Sequence, residues 1–262
     1  MKRIATLLLF ITSFVASAQQ QFFVGKDSDL LTGKSVTIKE GQTAYNGFYK
    51  DSGLTKILFK KGNGSDPEKL KGQIFEVKGS MKHPKSYIDD IVLILENKEQ
   101  GTIYYSYMPK YESTFLLDVV GGLTPPDGFL CNRLSPVKDK FSSKVTTDTP
   151  ANFEYSITKI EENGADRIYL RLQSYGTTLN VGKTGLKVLF SDGTVLEKPD
   201  AKINSKVDTA GYIYSCFINL SKEDIEVLSN KTITDYSLYI YERKIKDNNA
   251  YELKEYLKCL SK

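Results

Sequence analysis

The fold class is decided by residues 153–172, which read FEYSITKIEENGADRIYLRL. On both sides of the turn at Asn163-Gly164, every second residue is apolar: Phe153, Tyr155, Ile157, Ile168, Leu170 and Leu172. Successive side chains of a strand point to opposite faces, so this period of two predicts a hairpin with one buried face. The stretch therefore indicates an antiparallel β structure.

The pattern continues towards the C-terminus. Apolar alternation recurs in three further segments, residues 186–190, 212–220 and 236–241, and Asp192-Gly193 is a strong signal for a tight turn. Strands at this spacing, separated by turns and not by long helices, are typical of a sandwich. We expect residues 129–262 to form a C-terminal antiparallel β-sandwich domain.

Two short helices interrupt these strands. Ser221 followed three residues later by Asp224 resembles a capping box and predicts a helix start. The second helix is expected from about Asn249 to Leu260, with an apolar stripe formed by Leu253, Tyr256, Leu257 and Leu260. Such a stripe more often covers the chain's own sheet than binds another protein.

The N-terminal half carries shorter apolar runs rich in Ile, Val, Phe and Tyr, which favour strands. Residues 121–128 read GGLTPPDG, and their glycines and consecutive prolines break both helix and strand. We expect a domain boundary there. Residues 22–122 are then a small N-terminal β domain, either a barrel or a meander, and the whole chain is mainly β.

The first eighteen residues have the three parts of a cleavable signal peptide. Lys2 and Arg3 precede an uncharged, largely apolar run, and Ala16-Ser17-Ala18 offers the small residues that a signal peptidase accepts. The apolar run is shorter than the roughly 20 residues that span a bilayer. The sequence thus predicts export to the periplasm or the outer cell surface, with no membrane insertion.

Composition narrows the classes of partner. Removal of residues 1–18 takes away two basic residues and no acidic one, which leaves 34 basic and 32 acidic residues. Nucleic-acid binding needs a clustered basic face, and so balanced a chain gives no sign of one. We expect no nucleic-acid partner.

The chain has three cysteines, Cys131, Cys216 and Cys259. An oxidising compartment permits one disulfide. Domain termini often lie close together, which favours Cys131 with Cys259, while Cys216 within an alternating strand suits a small core residue. The alternative is that all three thiols are free, because spacing does not determine connectivity.

No coherent set of catalytic or metal-binding residues is present. His83 is the only histidine, and no close pair of ligands suggests zinc. Residues 176–184 approach a phosphate-loop pattern but have the wrong glycine spacing and link two predicted strands. No cofactor or metal is expected, and an enzyme remains the third hypothesis: a hydrolase using carboxylates from separate strands.

Aromatic residues supply the candidate binding site. The chain has 17 Tyr and 13 Phe but no Trp, and Tyr104, Tyr105, Tyr107 and Tyr111 cluster around one strand. Aromatic side chains on an exposed sheet can stack on sugar rings or anchor a protein. The alternative is that one face of this strand fills the core.

Three parts of the sequence resemble exported β-rich proteins of Bacteroidota to which no activity is attached: the signal ending in Ala-Ser-Ala before a Gln run, residues 139–193, and residues 217–241. The resemblance covers mostly residues 130–260 and implies location and β architecture only. We therefore expect a binding or assembly protein that contacts a protein at the cell envelope. A glycan-binding module is the alternative.

Overall fold

The computed structural model describes residues 22–39, 47–150 and 152–262. The predicted signal peptide, residues 1–18, lies outside these residues. The chain divides between Thr124 and Pro125 into two compact units. It is mainly β, with 45% strand and 17% helix, which confirms the predicted fold class.

The N-terminal unit is built on a curled half-barrel sheet of six antiparallel strands in the order β2-β7-β6-β5-β1-β8. A separate pair, β3 and β4, forms a small hairpin. The eight strands are β1 Ser35–Ile38, β2 Phe48–Tyr49, β3 Lys60–Lys61, β4 Gly64–Ser65, β5 Phe75–Lys82, β6 Ile91–Asn97, β7 Gly101–Tyr107 and β8 Leu117–Val119. Single 3₁₀ turns lie at Ser28–Leu31, Pro67–Leu70 and Glu112–Thr114.

The C-terminal unit contains a nine-stranded antiparallel sheet in the order β17-β16-β13-β14-β15-β12-β11-β10-β9. Its strands are β9 Ser135–Lys138, β10 Val145–Asp148, β11 Tyr155–Glu162, β12 Ala165–Gly176, β13 Thr184–Phe190, β14 Val195–Asp208, β15 Gly211–Asn219, β16 Ile233–Leu238 and β17 Tyr241–Lys244. A 3₁₀ turn at Phe129–Arg133 precedes them.

The long strand β14 gives this unit its sandwich-like form. Its first part, up to Lys202, pairs with β13, whereas Ile203–Asp208 pairs with β15. One strand is therefore shared by both halves of the sheet, which folds back so that β16 packs over β12 and β15. The Tyr236 hydroxyl on β16 donates to the Gln173 carbonyl on β12 across the buried interior. The unit thus reaches the predicted sandwich-like packing with one continuous sheet.

The two predicted helices are present as α1, Lys222–Asn230, and α2, Asp247–Leu260. The Ser221 hydroxyl accepts from the Asp224 amide at 3.2 Å, and the Asp224 carboxylate accepts from the Ser221 amide at 3.0 Å, so the capping box is confirmed. The four residues of the predicted α2 stripe are all buried. Helix α2 packs on β11, on α1 and on the 3₁₀ turn at Phe129–Arg133.

A disulfide joins Cys131 in that 3₁₀ turn to Cys259 in α2, across 128 residues of sequence. This is the pairing that the proximity of domain ends favoured. The remaining cysteine, Cys216, is free and buried on β15. Burial raises the pKa of its thiol to about 11, so the nucleophilic thiolate is scarce at neutral pH. Cys216 is a core residue of the sandwich.

Candidate binding site

The four predicted binding tyrosines do not form one exposed face. Tyr105 and Tyr107 are fully buried, Tyr104 is half-buried, and Tyr111 is 49% exposed. Strand β7 lies between β2 and β6, and its odd-numbered residues point into the hollow of the curled sheet that holds the core. The expectation that Tyr105 and Tyr107 are available to a ligand is wrong.

Hydrogen bonds fix both buried phenols. The Tyr105 hydroxyl donates to the Thr114 carbonyl at 2.5 Å and accepts from the Leu116 amide at 2.8 Å, while the Tyr107 hydroxyl donates to the Gly25 carbonyl at 2.8 Å. Burial raises the pKa of both phenols far above the ordinary value, so they remain neutral. These residues stabilise the N-terminal unit.

Exposed apolar side chains collect instead at one end of the C-terminal unit. We call this group the apolar end; its members, with their exposed fractions, are Tyr175 (49%), Leu179 (52%), Val181 (71%), Val207 (75%), Tyr239 (40%) and Ile240 (62%). They belong to the end of β12 and the loop that follows it, to the hairpin of β14 and β15, and to the turn between β16 and β17. Groups of exposed apolar residues, unlike isolated ones, mark interaction surfaces.

Two stacked tyrosines hold the β12–β13 loop in place. The rings of Tyr214 and Tyr241 have centroids 4.2 Å apart, and both hydroxyls donate to the Thr178 carbonyl, at 2.5 and 2.6 Å. Asn180 donates a hydrogen bond to each tyrosine: its backbone amide donates to the Tyr214 hydroxyl at 2.9 Å, and its Nδ2 donates to the Tyr241 hydroxyl at 2.6 Å. The loop that carries Leu179 and Val181 is therefore well defined although its apolar side chains face solvent.

The residue at position 176 must be small for this arrangement. A Cβ atom added to Gly176 would lie 2.3 Å from the Tyr241 ring and 2.8 Å from the Tyr214 ring. Both rings are pinned by the hydrogen bonds of their hydroxyls, so neither can move aside freely. Next to Gly176, a shallow groove of about 410 Å³ is lined by Tyr175, Gly176, Thr177, Asp208 and Ala210.

The turn between β16 and β17 adds backbone strain to the same end. Tyr239 has a φ of 58°, in the left-handed region that bulky residues seldom adopt. Its amide donates to the Gly185 carbonyl at 2.8 Å, and Lys183 Nζ lies 5.3 Å from its ring centroid. Strained conformations of this kind cost roughly 1–3 kcal/mol and persist only where the surroundings enforce them. In this turn, the left-handed conformation of Tyr239 leaves the side chains of Tyr239 and Ile240 exposed to solvent.

A buried ion pair supports the apolar end from beneath. The Glu154 side chain is 4% exposed, and its Oε1 accepts from Arg243 Nε at 3.3 Å and Nη2 at 3.1 Å. Its Oε2 accepts from the Lys246 amide at 3.2 Å and from Asn249 Nδ2 at 2.6 Å. The carboxylate thus joins the start of β11 to β17 and to the start of α2.

The same arginine connects this pair to the exposed surface. The Arg243 guanidinium lies 5.2 Å from the Phe153 ring centroid and 5.7 Å from that of Tyr175. Those two rings are stacked on each other with centroids 4.5 Å apart. Tyr175 is a member of the apolar end, so its position depends on the Glu154–Arg243 pair.

The arrangement of acidic residues bears on the hydrolase hypothesis. Within residues 22–39, 47–150 and 152–262, the buried carboxylates are Glu154 and Asp224, and each has its own cation; Asp224 pairs with Lys198 at 2.7 Å. They do not form the shared acid pair that glycoside hydrolysis uses. The same residues contain no cluster of three or more His, Cys, Asp or Glu side chains suited to a metal ion.

A second exposed aromatic feature lies on the outer face of β12 and β15. The rings of Tyr169 and Phe217 are nearly parallel, at 8°, with centroids 5.0 Å apart, and Phe217 is 52% exposed. Asn219, directly opposite Tyr169 on β15, and Arg171 on β12 supply polar groups beside the pair. Sequence alternation placed these residues on strands but gave no sign that they would stack.

Comparison with protein-family models, curated proteins and solved structures finds no match for this chain. Among the residues that the structure describes, none of the helices combines the length and apolarity of a membrane span.

Proposed function

We propose that this chain is an exported binding or assembly protein that acts through protein–protein contacts in the periplasm or at the cell surface. The observation that carries the proposal is the apolar end, where exposed apolar side chains stand on loops already held by hydrogen bonds. Its proposed occupant is a protein whose own surface is apolar at the contact. Export is supported by the signal-like residues 1–18.

The free energy of association favours protein binding at the apolar end. Full burial of a Val, Leu or Ile side chain contributes about 1.5–3 kcal/mol. Association costs on the order of 4–15 kcal/mol, plus the ordering of any flexible loop. Because Thr178 and Asn180 already fix the β12–β13 loop, little of that ordering cost applies here. The apolar end therefore offers its exposed apolar side chains to a partner with little added cost for ordering the loop.

We expect the double variant Val181→Ser/Ile240→Ser to lose its partner while remaining folded. Both side chains are more than half exposed, so the change removes binding surface and leaves the core intact. The measurement is the amount of partner that co-purifies with the chain after mild extraction from its own cells. We expect the affinity for the partner to fall at least ten-fold, which corresponds to about 1.4 kcal/mol of binding free energy.

The matched control is Leu189→Ser/Val195→Ser, which removes two exposed apolar side chains elsewhere on the same unit. It should retain the partner. Equal recovery of the partner by both double variants would place binding away from the apolar end and count against the proposal. Recovery of a second copy of this chain as the bound protein would identify the contact as self-assembly.

Glycan binding is the second candidate, and the Tyr169–Phe217 pair favours it. Aromatic faces beside polar groups are the chemistry that stacks on sugar rings. We expect Phe217→Ala to abolish retardation of the chain in gels containing a polysaccharide ligand, with Tyr111→Ala as a control on an exposed tyrosine of the N-terminal unit. Absence of retardation by any envelope polysaccharide would remove this candidate.

A further inference from the structure

The hairpin of β9 and β10 ends in a turn that exposes a single phenylalanine. Phe141 is 97% exposed, more than any other large apolar side chain among the described residues. Three lysines surround it in sequence, Lys138, Lys140 and Lys144. We call residues 138–144 the basic tip.

Hydrogen bonds order the basic tip. Asp139 Oδ1 accepts from the Phe141 amide at 2.7 Å, and the Asp139 amide donates to the Lys144 carbonyl at 2.8 Å. Ser143 Oγ donates to Asn163 Oδ1 at 2.9 Å and so ties the turn to the neighbouring hairpin. The exposure of Phe141 is therefore imposed by the fold, because the backbone around it is fixed.

The basic tip keeps a net positive charge, because the nearby acids outside it are paired with other cations. Glu161 and Asp166 both pair with Lys159 at 3.3 Å. Glu162 in turn pairs with Arg167 at 3.7 Å. None of the three tip lysines has an ion pair within 4 Å among the described residues, and three lysines less one aspartate, Asp139, leave the tip a net charge of +2.

The basic tip and the apolar end lie at opposite ends of β12. The tip contacts Asn163, two residues before β12 begins, and the last residue of β12, Gly176, lies under the apolar end. Twelve residues of strand at about 3.3 Å each separate them by roughly 40 Å. Both surfaces can therefore be used at the same time.

We propose that the basic tip anchors the protein reversibly to a membrane surface rich in anionic lipids, with Phe141 in the interfacial layer and the three lysines near lipid phosphates. This goes beyond the proposed function, since it assigns a second surface with another kind of partner. The exposed ring and the net positive charge complement a surface that offers anionic headgroups above an apolar layer. Aromatic rings and basic residues together are what such interfaces bind.

The test is co-sedimentation of the purified chain with vesicles of phosphatidylcholine alone and of phosphatidylcholine containing one-third phosphatidylglycerol. We expect binding to the anionic vesicles only, weakening as salt is added. Each lysine near such a surface contributes about five-fold, so Lys138→Gln/Lys140→Gln/Lys144→Gln should reduce the partition coefficient by up to about 100-fold. Phe141→Ala should reduce it by about ten-fold.

Two controls distinguish vesicle binding by the basic tip from a general effect of removing positive charge. The triple variant Lys202→Gln/Lys206→Gln/Lys222→Gln removes the same charge from exposed positions elsewhere and should bind nearly as well as the parent. Tyr87→Ala removes another strongly exposed aromatic side chain and should also bind normally. Equal losses in the two triple variants, or absence of binding to anionic vesicles at low salt, would overturn the proposal. Binding of polyglutamate without binding of vesicles would also overturn it and indicate an acidic protein partner.

Discussion

Replacing both Cys131 and Cys259 with serine is expected to lower the free energy of unfolding of the C-terminal unit by about 4–5 kcal/mol. The disulfide closes 128 residues of sequence, nearly the whole unit, and a cross-link over so long a loop removes much of the entropy of the unfolded chain. It also holds α2, which covers β11, to the turn that begins the unit. The measurement is urea unfolding followed by circular dichroism.

Reductant supplies the control for this prediction. Reductant should shift the urea unfolding midpoint of the parent chain to that of the double variant. It should leave the midpoint of the double variant unchanged. Cys216 is unchanged in both proteins and stays buried in the core. An unfolding midpoint of the parent that is the same with and without reductant would show that the bond contributes no stability.

The second large effect is expected for Glu154→Gln. The substitution keeps the shape of the side chain but leaves the Arg243 guanidinium without its counter-charge beneath the apolar end. Removal of one partner of a buried ion pair costs about 3–5 kcal/mol. Because the Arg243 side chain is 26% exposed and can reach some water, we expect a value near the lower limit, about 3 kcal/mol.

The matched control is Lys187→Gln, which breaks an ion pair of 3.0 Å with Glu197 on the exposed face of β13 and β14. Surface pairs contribute about 0–1 kcal/mol, so this variant should unfold like the parent. The Glu154→Gln variant should also bind the proposed protein partner less well, because Arg243 lies against the ring of Tyr175. If both variants unfold at the same denaturant concentration, the buried pair is not the structural link inferred here.

Local patterns were sufficient for the fold class and for several elements. The alternation in residues 153–172 predicts β11 and β12, which pair as expected around Asn163-Gly164. The Ser221 cap and the α2 stripe depend on neighbours three and four residues away, so the sequence alone reveals them. The sharing of β14 between two halves of one sheet depends on a change of partner within a single strand, which no local pattern records.

The candidate site could not be predicted in the same way. Alternation places Tyr105 and Tyr107 on one face of β7, but only the curl of the sheet determines that this face is the core. Leu179 and Ile240 come together because the Thr178 carbonyl accepts hydrogen bonds from Tyr214 and Tyr241, which are 36 and 63 residues away in sequence. The local signal is limited to two apolar residues, Leu179 and Val181, in a loop between strands.

The central claim is that the apolar end binds a protein, and in-cell photo-crosslinking tests it most directly. A photoreactive amino acid placed at Val181 should form a discrete adduct with a protein of the cell envelope in living cells. The same probe at Val195, which is half exposed but lies at the opposite end of the β13–β14 hairpin, should not. Adducts at Val181 that are absent, or no more abundant than those at Val195, would contradict the claim.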